Sequence, residues 1–341
     1  MKILLTGSYN PNTIAYYYYK YLLESGVSVV NFPTFDKVDN YNKIFLNKVS
    51  FKLNPNLCYR KINKELKEAV IKFNPNFLWV FKGMEILPEF LSWAKAQRII
   101  LVNYNPDNPY IFSGKGSGNK NIIKNLKYYD IHFTYNNEIL QQLKSETRKQ
   151  VYFLPFGHDV SEKLFQEIQK ENEIIEACFL GNADNYRAGI IHELNMRGIV
   201  FNLYGKDWDK YSYLKSNKIF GQVEGIDYYK TLYKYRVQLN IMRVHNLNSH
   251  NMRTFEIPGS GGIQLAPYTV EQATFFEEGK EIFLYKNFDE CAQLINKLLT
   301  ENKTVTDLIR KNARKRCINS GYSYADQTKI VCKILKEYSG N

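Results

Sequence analysis

Strand and helix signals alternate along this 341-residue chain in two successive series, and that alternation is its strongest constraint. In the first series, residues 2–6, 27–32, 77–81, 98–102, 131–134 and 151–155 are short apolar runs of strand length. Between them, residues 13–25, 65–73, 88–96, 120–128 and 137–145 have helical spacing. Gly26 stands where a helix ends in a left-handed residue. A polar stretch, 157–173, then separates the two series. Residues 174–180, 200–204, 237–242 and 281–285 read as strands, and 186–196, 226–235 and 289–299 as helices. A helical tail, 305–338, is expected to break near Gly321. Short strands alternating with helices make parallel sheets covered on both faces. Two such series predict two doubly wound domains, divided as 1–157 and 158–320, with 321–341 a C-terminal helix. In that architecture ligands sit at the carboxyl ends of the strands.

The second series contains the segment most suggestive of chemistry, residues 252–267. Arg253 and Glu256 are three apart on a short helix and share one face. Ser260, Gly261 and Gly262 follow as a tight turn, then an apolar strand. Glycine lets backbone N–H groups approach a ligand closely. A carboxylate suits sugar hydroxyls and a guanidinium suits phosphate. The pattern fits a sugar-nucleotide site, and equally an ordinary helix–turn–strand connection. Two other patterns mislead. Asp207-Trp208-Asp209 spells a metal-binding D-x-D but follows a strand and a Tyr-Gly turn, so no metal is expected. Gly114 to Gly118 lacks the spacing of a phosphate-binding P-loop and reads as a mobile loop.

Composition narrows the class. Hydrophobic residues make up 44% of the chain, enough for large cores. No apolar run approaches the ~20 residues of a membrane span. Residues 1–7 read as a first strand, not a signal peptide, which points to the cytoplasm. The five cysteines are scattered and odd in number, which argues against disulfides and a cysteine-based zinc site. The net charge of +12 is spread along the chain without a nucleic-acid arm, so no nucleic-acid partner is expected. Anionic substrates or the inner face of an anionic membrane remain as partners.

Further residues carry a family resemblance. They are Phe179 to Asn182 with Arg187; Leu203 to Trp208; Gly221 to Val223; Leu239 to Arg243; Met252 to Gly262; and Phe276 to Ile282. Asn103 to Asp107 and Leu154 to Asp159 fit in the first half. In order and spacing the chain resembles glycosyltransferases of the GT-B fold, in particular the spore-maturation CgeB-like branch of group 1. The resemblance covers essentially the whole chain and is strongest from Glu176 to Tyr285. It implies two Rossmann-like domains facing a central cleft, with acceptor in the first and nucleotide-sugar donor in the second. The C-terminal helix would cross back to the first domain.

The resemblance also implies roles. Glu256 would accept from ribose hydroxyls. Arg187, with Arg253 and Lys206, would neutralise the leaving diphosphate, so no metal is needed. Asn182, Gly205, Gly261 and Gly262 would line the donor site, and Val223 would meet the base. Related retaining enzymes carry a glutamate eight positions before Glu256; Asn248 stands there, so Asn248, Ser249 or His250 would serve the sugar. In the first domain Gly7, Ser8, Asn105, Asp107 and His158 are the candidates, Asp107 for positioning. His158 and His132 are possible bases that equally suit structural roles. The implied reaction moves a sugar, with retention, from a nucleoside diphosphate sugar (UDP as the expected carrier) to a cell-envelope glycan, lipid-linked or protein acceptor. No other cofactor is called for. A sugar-nucleotide epimerase of the same design and a non-catalytic nucleotide-sugar-binding protein are the alternatives.

Overall fold

The computed structural model describes residues 1–112, 116–244 and 247–340. Gly114 and Lys115 of the glycine-rich loop lie outside the described residues. The chain divides into two compact units, one of Met1–Pro155 with the segment from Tyr324, the other Phe156–Ser323.

The first unit holds a six-stranded, all-parallel sheet in the order β2-β1-β3-β4-β5-β6. Its strands are β1 (Lys2–Thr6), β2 (Ser28–Phe32), β3 (Phe77–Phe81), β4 (Ile100–Asn105), β5 (Ile131–Thr134) and β6 (Gln150–Phe153). Every residue of β3 is buried, as expected of a central parallel strand covered on both faces. Helix α1 (Ile14–Glu24) starts where Thr13 caps the amide of Tyr16. Its tyrosine run is packing: Tyr17 stacks on Tyr324 with ring centroids 4.8 Å apart, and the Tyr18 hydroxyl donates to Gln327 at 2.7 Å. These contacts hold the last helix, α15 (Tyr324–Gly340), on the first unit.

The second unit holds another six-stranded parallel sheet, in the order β12-β11-β10-β7-β8-β9. Its strands are β7 (Ile174–Leu180), β8 (Phe201–Tyr204), β9 (Lys218–Phe220), β10 (Tyr235–Leu239), β11 (Gln264–Pro267) and β12 (Phe283–Tyr285). The chain runs outward from β7 through β8 to β9, then crosses to the other side of β7 as β10. The topological switch therefore lies between β7 and β10. Beneath the sheet, Glu173 bridges two buried arginines, meeting Arg236 at 2.6 Å and Arg310 at 3.0 Å. Arg310 also donates to the carbonyl oxygens of Tyr233 and Gly261, tying α14 (Lys303–Asn319) to the sheet.

Several elements differ from expectation. The polar stretch after Gly157 contains α8 (Glu162–Ile168), begun by a Ser161 cap. The C-terminal stretch does break near Gly321 as expected, into two helices, the second beginning at Tyr324. Helices α2 (Thr34–Lys43) and α3 (Phe45–Leu53), and strand β9, had no sequence reading. Helix α4 (Asn56–Phe73) starts well before residue 65. Among the described residues no helix is long and apolar enough to cross a membrane.

Candidate functional site

At the carboxyl ends of β7 and β8 two loops are stitched together. The amide of Lys206 donates to the Asn182 side chain at 3.0 Å, and the amide of Ala183 to the Lys206 carbonyl at 2.9 Å. Gly205 permits this closeness. Its φ is +135°, and a Cβ there would lie 2.3 Å from the Gly181 carbonyl oxygen. We expect Gly205→Ala to cost about 3 kcal/mol or more, from strain and overpacking together. Denaturant unfolding measures this, and an unchanged stability would contradict the geometry. Asp207 pairs with Lys210 at 2.7 Å.

Helix α9 (Asn185–Asn195) begins directly after β7. Asp184 caps it by accepting from the Arg187 amide at 2.9 Å, which fixes Arg187 in the first turn. The Arg187 guanidinium donates from Nη1 to the Asn182 carbonyl at 2.9 Å and lies over the Phe179 ring. Its Nε is buried and has no hydrogen-bond partner among the described residues. Burial, with Arg243 and Arg253 nearby, lowers its pKa to about 10, although Asp184 works in the opposite direction. Arg187 is thus still charged at neutral pH, in a setting that disfavours its charge.

Helix α11 (Arg253–Gly259) follows β10 across the switch point. A buried amide network positions its start: the Asn240 side chain meets Asn251 at 3.1 Å, and Asn251 accepts from the Thr254 amide at 3.2 Å. Arg253 then reaches Glu256 Oε2 through Nη1 and the Leu180 carbonyl through Nε, the latter at 3.4 Å. Its guanidinium lies over the Tyr228 ring, 4.6 Å from the centroid. The Tyr228 hydroxyl donates to the same Glu256 oxygen at 2.6 Å, and Glu256 is buried. Val223 packs on the apolar cluster beside Tyr228. Arg187, Arg253 and Glu256, from separate places in the sequence, are thus gathered at the carboxyl edge of one sheet.

Other candidates are placed differently. Gly261 and Gly262 precede β11, at the opposite, amino edge of the sheet. A Cβ on Gly262 would lie 2.5 Å from the Leu232 carbonyl oxygen, and one on Gly261 3.1 Å from the Phe165 ring. The donor-lining role expected of them is therefore corrected: they are small because the turn is tightly packed. Asn248 is exposed. Ser249 is buried and donates to Glu271 at 2.5 Å. His250 accepts the Phe156 amide at Nε2, 3.2 Å away, so Nδ1 carries the proton and donates to Glu271 at 2.9 Å. Burial lowers its pKa despite Glu271. Ser249 and His250 thus turn inward rather than offering groups to a sugar. His158, expected in the first domain, belongs to the second unit. Its Nδ1 accepts the Val160 amide at 3.2 Å, and its ring packs so closely on Gly259 that a Cβ there would lie 2.8 Å from Cγ.

In the first unit, Gly7 lets the loop after β1 approach α1, since a Cβ would lie 2.5 Å from that of Ala15. The Ser8 hydroxyl donates to Asp36 at 2.6 Å. The Asp107 amide donates to Asn105 Oδ1 at 3.1 Å, while its carboxylate pairs with Lys82 at 2.5 Å. Buried His132 donates from Nε2 to the Leu126 carbonyl at 3.0 Å, and burial lowers its pKa to about 4. That hydrogen bond marks it as structural.

Comparison with known proteins follows from this geometry. Residues 187–332 match the family described as glycosyl transferase-like. No curated protein sequence matches the chain. Among solved structures, sucrose-phosphate synthase from Thermosynechococcus elongatus aligns with TM-score 0.69 at 11% identity, over 100% of this chain and 99% of that one. HepE from Anabaena, in complex with UDP-glucose, aligns with TM-score 0.64 at 11% identity, over 99% of this chain and 100% of that one. A putative UDP-N-acetylglucosamine 2-epimerase from Listeria monocytogenes aligns with TM-score 0.59 at 14% identity, over 100% and 97%. The chain shares the GT-B fold of these structures.

Sequence reasoning missed Tyr228, Lys82 and the role of Arg243. Tyr228 has no local signal, because only tertiary folding brings it to Glu256. Lys82 could have been found, because it directly follows the apolar run of β3; in the structure it takes a positive φ of 61°. Arg243 follows the buried strand β10 and precedes a polar loop.

Proposed function

We propose that this protein is a glycosyltransferase that binds a nucleoside diphosphate sugar in its second unit and transfers the sugar to a hydroxyl-bearing acceptor without a metal. The observation that carries the reading is the buried Glu256 paired with Arg253, with Arg187 close enough to Arg243 and Arg253 to feel their charge. Arg187 is charged at a cost in that setting, and an anion relieves the cost. A diphosphate supplies the anion, and Arg187 Nε, which has no hydrogen-bond partner among the described residues and only the Asp184 carboxylate at 3.9 Å, supplies a donor. Glu256 Oε2 is held by Arg253 and Tyr228, and we assign Oε1 to a ribose hydroxyl. The developing charge on the leaving diphosphate would then be met by guanidinium groups already in place. HepE, by its description bound to UDP-glucose, supports the choice of donor class.

The test is release of nucleoside diphosphate from a panel of sugar nucleotides in the presence of EDTA. The proposal predicts turnover with at least one donor, increased by a hydroxyl acceptor. Interconversion of the sugar with its nucleotide still attached would instead support an epimerase. Glu256→Ala is expected to weaken donor binding about tenfold to a hundredfold, because it strips a charged acceptor from the nucleotide. Unaltered affinity in that variant would remove Glu256 from the site.

A further inference from the structure

The first unit carries a surface that the transfer reaction does not explain. Helix α3 buries none of its residues. At about 100° per residue, Phe45, Leu46, Val49 and Leu53 fall on one side of it. That side faces outward: Phe45 and Leu46 are each 75% exposed and Leu53 83%. The side chain that packs inward is Phe51, whose ring meets Tyr59 edge-on at 5.7 Å. Exposed Ile44 and Leu57 extend the patch beyond both helix ends. Single exposed apolar residues need no explanation, but a contiguous group marks an interaction surface.

Charge identifies the partner. Residues 40–64 contain six lysines and arginines and no acidic residue. Lys48 and Lys52 are exposed beside the apolar side. Long basic side chains flanking an outward apolar stripe are suited to lie at a lipid interface, with rings and methyl groups in the acyl boundary and ammonium groups at anionic headgroups. A second copy of the chain would bring two basic surfaces together and repel. We propose that α3, with Ile44 and Leu57, docks the first unit on an anionic lipid surface. This goes beyond the donor reading and does not depend on it.

The experiment is co-sedimentation of the full chain with vesicles of phosphatidylcholine alone, or of an equal mixture of phosphatidylcholine and phosphatidylglycerol, at low and high salt. Binding is expected to the mixed vesicles and to weaken at high salt. Leu46→Gln with Leu53→Gln should reduce it by on the order of tenfold, as should Lys48→Gln with Lys52→Gln. These side chains are exposed, so melting temperature should be unchanged; a nucleotide-induced thermal shift, unaltered in the variants, reads the donor site separately. Failure of the native chain to bind either vesicle overturns the proposal. So does undiminished binding by both double variants. A concentration-dependent dimer that dissociates on Leu46→Gln with Leu53→Gln would assign the surface to a second copy and overturn it too.

Discussion

Arg187→Ala is expected to lower kcat/KM for the sugar nucleotide by on the order of a hundredfold to a thousandfold, the scale of removing one fixed donor to developing charge. The effect should fall on the donor, so that affinity for the free nucleoside diphosphate weakens in parallel. The fold should tolerate the change. The guanidinium gives up one hydrogen bond to the Asn182 carbonyl and its place over Phe179, but its removal also relieves repulsion from Arg243 and Arg253. The two effects oppose each other, so the melting temperature of the unliganded protein should move by no more than about 3 °C. Steady-state kinetics and a thermal scan of the same preparation check both halves. A collapsed melting temperature would make Arg187 a structural residue instead.

The second large effect concerns stability. Glu173→Ala leaves Arg236 and Arg310, both buried, without their shared carboxylate. Removing one partner from a buried ion pair typically costs about 3–5 kcal/mol. The pH dependence follows. Burial alone would raise the Glu173 pKa, but hydrogen bonds and charge from Arg236 and Arg310 outweigh it and hold the pKa below its ordinary value. A carboxylate whose folded pKa is depressed stabilises the fold fully above its unfolded pKa, about 4.3. That contribution is lost as pH falls through the folded value. The stability gap between the native chain and Glu173→Gln should therefore be widest at neutral pH and shrink in acid. Urea unfolding across pH 7 to about 3 would show it, and a gap independent of pH would mean that Glu173 acts through shape rather than charge.

These two sites were not equally legible in the sequence. Strand β7 and helix α5 (Pro88–Ala96) could be read with their bounds. One ends in a buried apolar run against a glycine, and the other starts at a proline preorganised for the first turn. Arg187 is placed by the family resemblance, and the structure fixes it in the first turn of α9 through the Asp184 cap. Helix α3 had no sequence reading, and its apolar stripe of Phe45, Leu46, Val49 and Leu53 faces outward, while Phe51 packs inward on Tyr59. Strand β9 is exposed throughout and has no burial pattern to detect. The glycine pair Gly261 and Gly262 was misread for a different reason. Close approach to a ligand and close approach to a neighbouring carbonyl demand the same residue, and only the sheet shows that this turn lies at the amino edge. The ion pairs of Glu173 join residues 63 and 137 positions apart, which no local pattern reveals.

The central claim is that Arg187, Arg253 and Glu256 form a metal-independent site for a nucleoside diphosphate sugar. Its most direct test is calorimetric titration of the native chain, Arg187→Ala and Glu256→Ala with UDP, GDP, CDP, dTDP and ADP in EDTA. The account predicts saturable binding of at least one nucleotide by the native chain, weakened about tenfold or more in each variant. Binding that is equal in all three proteins, or that appears only when a divalent metal is restored, would contradict it.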